Sequence, residues 1–236
     1  MINVARQNWK LLIGELIFAV CIVWLYLEYI KNSGYDLDEK LWFSYLYGIY
    51  NMSREYLLIA AWMVPYFICR MMPFFSLEYE FTGKKYFSII RYKSRKEYYD
   101  RKLSEVIVDE TTVCTLSYFI LALSGSILAC VWGYEGYIDY RNLITGFILW
   151  ICSHIFMSVI EFVVFINIPK ISCLLLIEMI QLALFLMVPC EVGKWIVPIY
   201  WGMSLYSGIY VIVVELFIGV GVYLAGRNFI KRRREI

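Results

Sequence analysis

Long apolar runs alternate with short polar breaks along most of the chain. A helix needs roughly 20 apolar residues to cross the hydrocarbon core of a bilayer. Six runs meet that length or approach it, over about Leu11–Ile30, Tyr56–Phe75, Thr111–Gly133, Leu143–Ile166, Ile171–Pro189 and Ile209–Ile230. The pattern therefore predicts an all-α membrane protein with six transmembrane helices. The first run is too long for a signal peptide, contains Glu15, and is followed by no small-x-small cleavage site. Between the fourth and fifth runs lies little more than Asn167-Ile168-Pro169-Lys170, which predicts an antiparallel hairpin. The stretch from Cys190 to Gly208 is hardly polar, and Trp195, Pro198 and Trp201 predict a re-entrant extracellular segment before the last helix. With neither repeat nor linker, residues 1–236 read as a single transmembrane domain.

Composition strengthens this picture. The chain is 61% hydrophobic and 18% charged, where soluble domains hold roughly 45–50% and about 25%. A net charge of +2 gives no global reason to bind nucleic acid. The seven cysteines (Cys21, Cys69, Cys114, Cys130, Cys152, Cys173 and Cys190) lie within or at the ends of apolar runs, with no C-x-x-C pair. They read as small buried hydrophobes, and neither a disulfide framework nor a metal site is expected.

The distribution of charge fixes the expected orientation. With both termini in the cytoplasm, sixteen Lys and Arg residues fall inside and five outside, and Arg70 lies within a span. The positive-inside rule then gives an N-in, C-in topology. Residues 31–55 fall outside and carry Trp42, Phe43, Tyr45, Tyr47 and Tyr50, aromatic rings suited to the headgroup level.

Eight of the inside charges cluster between Lys84 and Lys102. A solvated or lipid-facing loop would account for the charge alone, but this segment has local order. Ser94-Arg95-Lys96-Glu97 is an S-x-x-E capping box, so a short helix is expected from Arg95, carrying Tyr98, Tyr99, Arg101 and Lys102. Two tyrosines mixed with Glu97, Asp100 and Glu105 suit a protein-docking surface better than a lipid-facing one. The third helix, running on from Lys102, is long enough to project into the cytoplasm.

Glu78-Tyr79-Glu80-Phe81-Thr82-Gly83, then Arg91, Ser94-Arg95 and Lys102, resemble the loop after the second helix in permeases of type-2 ABC exporters. Such loops read acid-x-acid-x-Gly-Thr, then Pro-x-Ser-Arg and a Lys opening the third helix. Here Thr82-Gly83 reverses the usual order and Tyr92 stands where Pro is common. The resemblance extends to the six spans and the re-entrant segment, and is strongest for small permeases of lantibiotic and other peptide exporters. It implies a bacterial plasma-membrane protein that exports a peptide or amphipathic substrate as one of two permease halves, identical or paralogous. It also implies a cytoplasmic coupling helix between helices 2 and 3, formed by Arg91, Ser94, Arg95, Glu97, Tyr98, Tyr99 and Lys102 and docked on a separate ABC ATPase present in two copies. Glu78, Glu80 and Gly83 are the matching loop motif.

Ionisable residues within spans usually face the bundle interior. Arg70 is expected to pair with Glu161 or Glu15, which lie at similar depth near the cytoplasmic face. Glu178 and Glu215 have no evident basic partner and are candidates, with Gln181, for lining a substrate path. His154, Ser158 and Glu161 share one helix face. No H-E-x-x-H, Ser/His/Asp arrangement or G-x-x-x-x-G-K-[ST] is present, so no catalytic site is expected and ATP and Mg²⁺ would sit on the partner. The alternative is an ATPase-independent immunity or sensory protein that binds a peptide.

Overall fold

The computed structural model describes residues 95–131, 140–168, 170–185 and 208–232, together with residues 92 and 94 and single helical positions at 13, 14, 17, 21 and 24 and between Arg70 and Glu78. Four continuous helices are described: α1 (Arg95–Val131), α2 (Tyr140–Asn167), α3 (Ile171–Phe185) and α4 (Gly208–Arg232). Among the described residues there is no strand.

The Ser94 side of the capping box at the start of α1 acts as expected. The Ser94 hydroxyl accepts the Glu97 amide at 3.1 Å, and the Tyr98 amide donates to the Ser94 carbonyl at 3.1 Å. What differs is the length of the helix. Instead of a short helix followed by a separate span, α1 is a single run of 37 residues, about 55 Å long. Lys102 to Asp109 hold no Pro or Gly and no capping signal, so the 3.6-residue repeat continues unbroken.

Among the described residues two stretches are long and apolar enough to cross a membrane, Leu143–Asn167 within α2 and Ile212–Ile230 within α4. Ile171–Gln181 in α3 is a shorter apolar helix. The remaining expected spans fall wholly or partly on residues outside the described set, as do the aromatic segment 31–55 and the re-entrant stretch 190–207.

Cross-helix contacts give the packing directions. Against α2, Tyr118 of α1 meets Leu143, Glu110 meets His154 and Ser158, and Tyr99 meets Phe162. Rising numbers face falling ones, so these helices are antiparallel. Against α4, Phe156 lies by Gly219 and Val163 by Gly226. Both pairs keep the same offset, so α2 and α4 run parallel. The α2–α3 hairpin closes through the Ile168, Lys170 and Cys173 amides, which donate to the Val164, Ile168 and Lys170 carbonyls.

One end of the bundle gathers Phe74, Leu77, Tyr98, Tyr99, Leu103, Phe162, Phe165, Leu174 and Ile230 into an apolar core. Asp100 of α1 forms a two-toothed ion pair with Arg227 of α4, at 2.9 and 2.7 Å, and accepts the Tyr223 hydroxyl at 2.8 Å. Gly226 makes this closeness possible. A Cβ there would stand 2.6 Å from the Tyr99 hydroxyl and 2.7 Å from Val163 Cγ2. The Lys96, Arg101, Lys170 and Arg227 side of the chain is thus one end of the bundle.

The outer faces are apolar. Leu116, Phe119, Leu123, Ile127 and Val131 form an exposed stripe along α1, and Val213, Leu216, Phe217, Val220 and Leu224 are exposed on α4. The charged and polar groups Arg70, Glu110, His154, Ser158, Glu161, Glu178 and Glu215 are inside. This inverts the distribution usual for a protein bathed in water.

Candidate functional site: a buried charge cluster and an acidic cavity

Arg70 is completely buried. Its guanidinium pairs with Glu161 of α2 and lies 2.9 Å from Glu178 of α3, while Nη1 donates to Gln181 Oε1 at 2.8 Å. The hairpin explains why these residues meet. Glu161 lies six residues before the end of α2 and Glu178 seven after the start of α3, so both stand about 9–11 Å from the turn. Glu78 holds the register from the other side by accepting the Ile171 amide at 3.0 Å. Gln181 completes the layer by donating to Met157 Sδ at 3.9 Å.

The expected pairing of Arg70 with Glu161 is therefore present, and Glu15 lies outside the described residues. The expectation that Glu178 lacks a basic partner is corrected. Equal depth across a tight hairpin brings it to the same guanidinium as Glu161. One cation faces two carboxylates.

A second buried group was not anticipated. Glu110 of α1 is fully buried and accepts the Ser158 hydroxyl, and His154 Nδ1 stands 3.2 Å from its other oxygen. Ser158 also donates to the His154 carbonyl at 2.9 Å, and the imidazole lies against the Trp150 ring. The shared face of His154 and Ser158 was legible, but the partner on α1 was not, because Glu110 sits at the edge of a predicted span. The carboxylate lies between the hydroxyl and the imidazole. In a hydrolytic triad the imidazole is central, so it can take the hydroxyl proton; this order gives no such relay. No metal site was expected, yet the ligand atoms of Glu110, Cys114 and His154 lie within 4.8 Å of one another. A tetrahedral centre holds its ligands about 2.0–2.3 Å from the ion, and here Glu110 is already engaged by Ser158 and His154.

The residues expected to form a docking helix divide into two sets. Tyr99 is wholly buried within the chain, its ring against Phe162 and Tyr223, with its hydroxyl 3.4 Å from the Tyr223 carbonyl. Burial pushes its phenol well above the ordinary value, so it remains a neutral donor. Tyr98 is also buried, edge-on to Tyr92. Lys102 is buried and bonds Glu105 at 2.8 Å. These three are buried within the chain, where α1 packs its Tyr98–Tyr99 face on the chain's own core. Ser94, Glu97 and Arg101 are exposed and Arg95 is half-buried. Arg91, Glu80 and Gly83 lie outside the described residues.

Glu215 of α4 faces an apolar cavity of about 330 Å³ between α1, α2 and α4. Leu103, Ile107, Phe156, Val159 and Tyr223 form much of its wall. Glu215 is 3% exposed, and its carboxylate has no charged partner among the described residues. Ser153 is its polar neighbour. Glu178 and Glu215, expected on one path, belong to different sites.

The chain matches no family model, no curated protein and no solved structure.

Proposed function

We propose that the chain is the non-catalytic membrane half of an ABC exporter for a peptide or amphipathic substrate. It would act in the bacterial plasma membrane beside a second permease half and two ATPase subunits. The six spans, the N-in, C-in topology and the re-entrant segment before α4 belong to this proposal. Two facts of packing support the topology: α2 and α4 run parallel with α1 opposed to both, and the basic residues Lys96, Arg101, Lys170 and Arg227 gather at one end. Apolar outer faces around buried charges support residence in lipid.

The observation that carries the reading is the continuity of α1. Its basic first two turns, with Arg95 half-buried and Arg101 exposed, are one rigid body with the segment that places Glu110 in the interior, about 22 Å beyond Arg95. A force applied by an ATPase at Arg95 or Arg101 would reach the buried groups without a hinge, and the Asp100–Arg227 pair would carry it into α4. The docking surface on this view is the outward side of the first turns, with Arg95, Glu97 and Arg101 as contacts. Tyr98 and Tyr99 serve as its packed base.

Charge reversal tests this. Arg95→Glu with Arg101→Glu should detach the ATPase or uncouple its hydrolysis from transport, while the purified chain keeps its melting temperature. If association and transport both survive the double reversal, docking at this surface is wrong.

A further inference from the structure

We propose that the cavity at Glu215 is a binding site for a hydrophobic monocation, an apolar molecule bearing one protonated amine. The site is built by three helices: Leu103 and Ile107 come from α1, Phe156 from α2, and Glu215, Gly219 and Tyr223 from α4. Its volume of about 330 Å³ is at the small end for ligand cavities. The walls reward an apolar body through area removed from water.

The single carboxylate decides the charge of the occupant. The basic groups described nearby are engaged elsewhere. Arg70 serves Glu161 and Glu178, Lys102 serves Glu105, and Arg227 serves Asp100. Arg227 is also twelve residues along α4 from Glu215, about 18 Å away. A carboxylate at 3% exposure whose polar neighbour among the described residues is the neutral Ser153 hydroxyl is costly unless it is paired with a cation or takes up a proton. An entering ammonium supplies both a strong donor and an opposite charge, whereas a neutral alcohol supplies a weaker donor without the charge and an anion is repelled.

Gly219, one turn beyond Glu215, keeps the cavity open. A Cβ there would lie 3.5 Å from Phe156 Cδ2, an ordinary contact, so a small side chain fits and a large one would occupy the cavity. The claim rests on the cavity and not on the transporter reading, and the two can fail separately.

The test is equilibrium binding to the full chain in phosphatidylcholine nanodiscs at pH 7.4, with empty discs subtracted. The probes are 4-phenylbutylamine, 4-phenylbutanol and 4-phenylbutyrate, which differ only in the polar end. The amine should bind about ten- to a hundredfold more tightly than the alcohol, the range of a charge-assisted hydrogen bond, and the carboxylate most weakly. Glu215→Gln should bring the amine to the level of the alcohol without moving the alcohol. Gly219→Leu should abolish saturable binding of both, which covers the case in which Glu215→Gln does not fold. Equal binding of amine and alcohol by the natural chain, an amine preference that survives Glu215→Gln, or saturable binding that survives Gly219→Leu would each overturn the proposal.

Discussion

Replacing Arg70 by methionine keeps most of the side-chain volume and removes the cation that pairs with Glu161 and Glu178 among the described residues. One guanidinium balances one carboxylate charge, so its loss leaves one more carboxylate to be neutralised in a dry interior. The cheapest route is to take a proton. At pH 7.5, protonating an ordinary glutamate costs about 4 kcal/mol, a ceiling within the range of about 3–5 kcal/mol for breaking a buried pair. The bond to Gln181 at 2.8 Å adds about 0.6 kcal/mol on the scale of interhelical hydrogen bonds in membranes. Methionine packing returns some of this, so a net loss of about 3 kcal/mol is expected. For a domain of this size that shifts the melting temperature by about 6–12 °C. Thermal unfolding in a neutral detergent, followed by tryptophan fluorescence, measures it. Glu161→Gln or Glu178→Gln added to Arg70→Met should restore at least half of the loss, because each removes the carboxylate that must otherwise be protonated. A shift below about 1 °C for Arg70→Met, or a loss that neither Gln reduces, would refute the charge-balance reasoning.

Gly226→Ala should destabilise by about 1–3 kcal/mol, as overpacked sites do, since its Cβ would meet both Tyr99 and Val163; Tyr99→Phe should relieve only part of this, which the same melts would show. Ser94→Ala should cost about 1 kcal/mol through the lost cap, read as faster amide exchange confined to the first turn of α1. Tyr99→Ala should lower stability by about 3–5 kcal/mol as a core truncation, whereas Arg101→Ala should leave the melting temperature unchanged and weaken ATPase association in a pull-down.

Much of the helical architecture was legible because apolar length and capping chemistry are local. Ser94 and Glu97 announced the start of α1, and the four-residue break at 167–170 announced the hairpin. Depth alone narrowed the partner of Arg70 to Glu161 or Glu15, and the structure shows the pair with Glu161. The same counting, applied across the hairpin, would have found Glu178, since it and Glu161 are almost equally far from the turn. Glu110 was hidden for a different reason. Its partners lie on another helix, and which face α1 turns toward α2 depends on packing that no single-helix pattern records. The burial of Tyr98 and Tyr99 was not legible because aromatic residues in a polar segment suit a docking surface and a buried helix base equally well. The choice between them is made by Gly226, more than a hundred residues away, which lets α4 approach Tyr99.

The central claim is that the chain works as one half of an ATP-driven permease, and subunit stoichiometry tests it most directly. The chain should be purified through an affinity tag from the membrane of its own organism in a mild detergent, and the co-purifying proteins quantified by mass spectrometry. The account predicts a protein with a Walker A phosphate loop at about one copy per permease half, lost from the Arg95→Glu, Arg101→Glu double variant while the purified chain remains folded. A chain that purifies folded, with no such ATPase above background, would contradict the account and favour an ATPase-independent immunity or sensory protein.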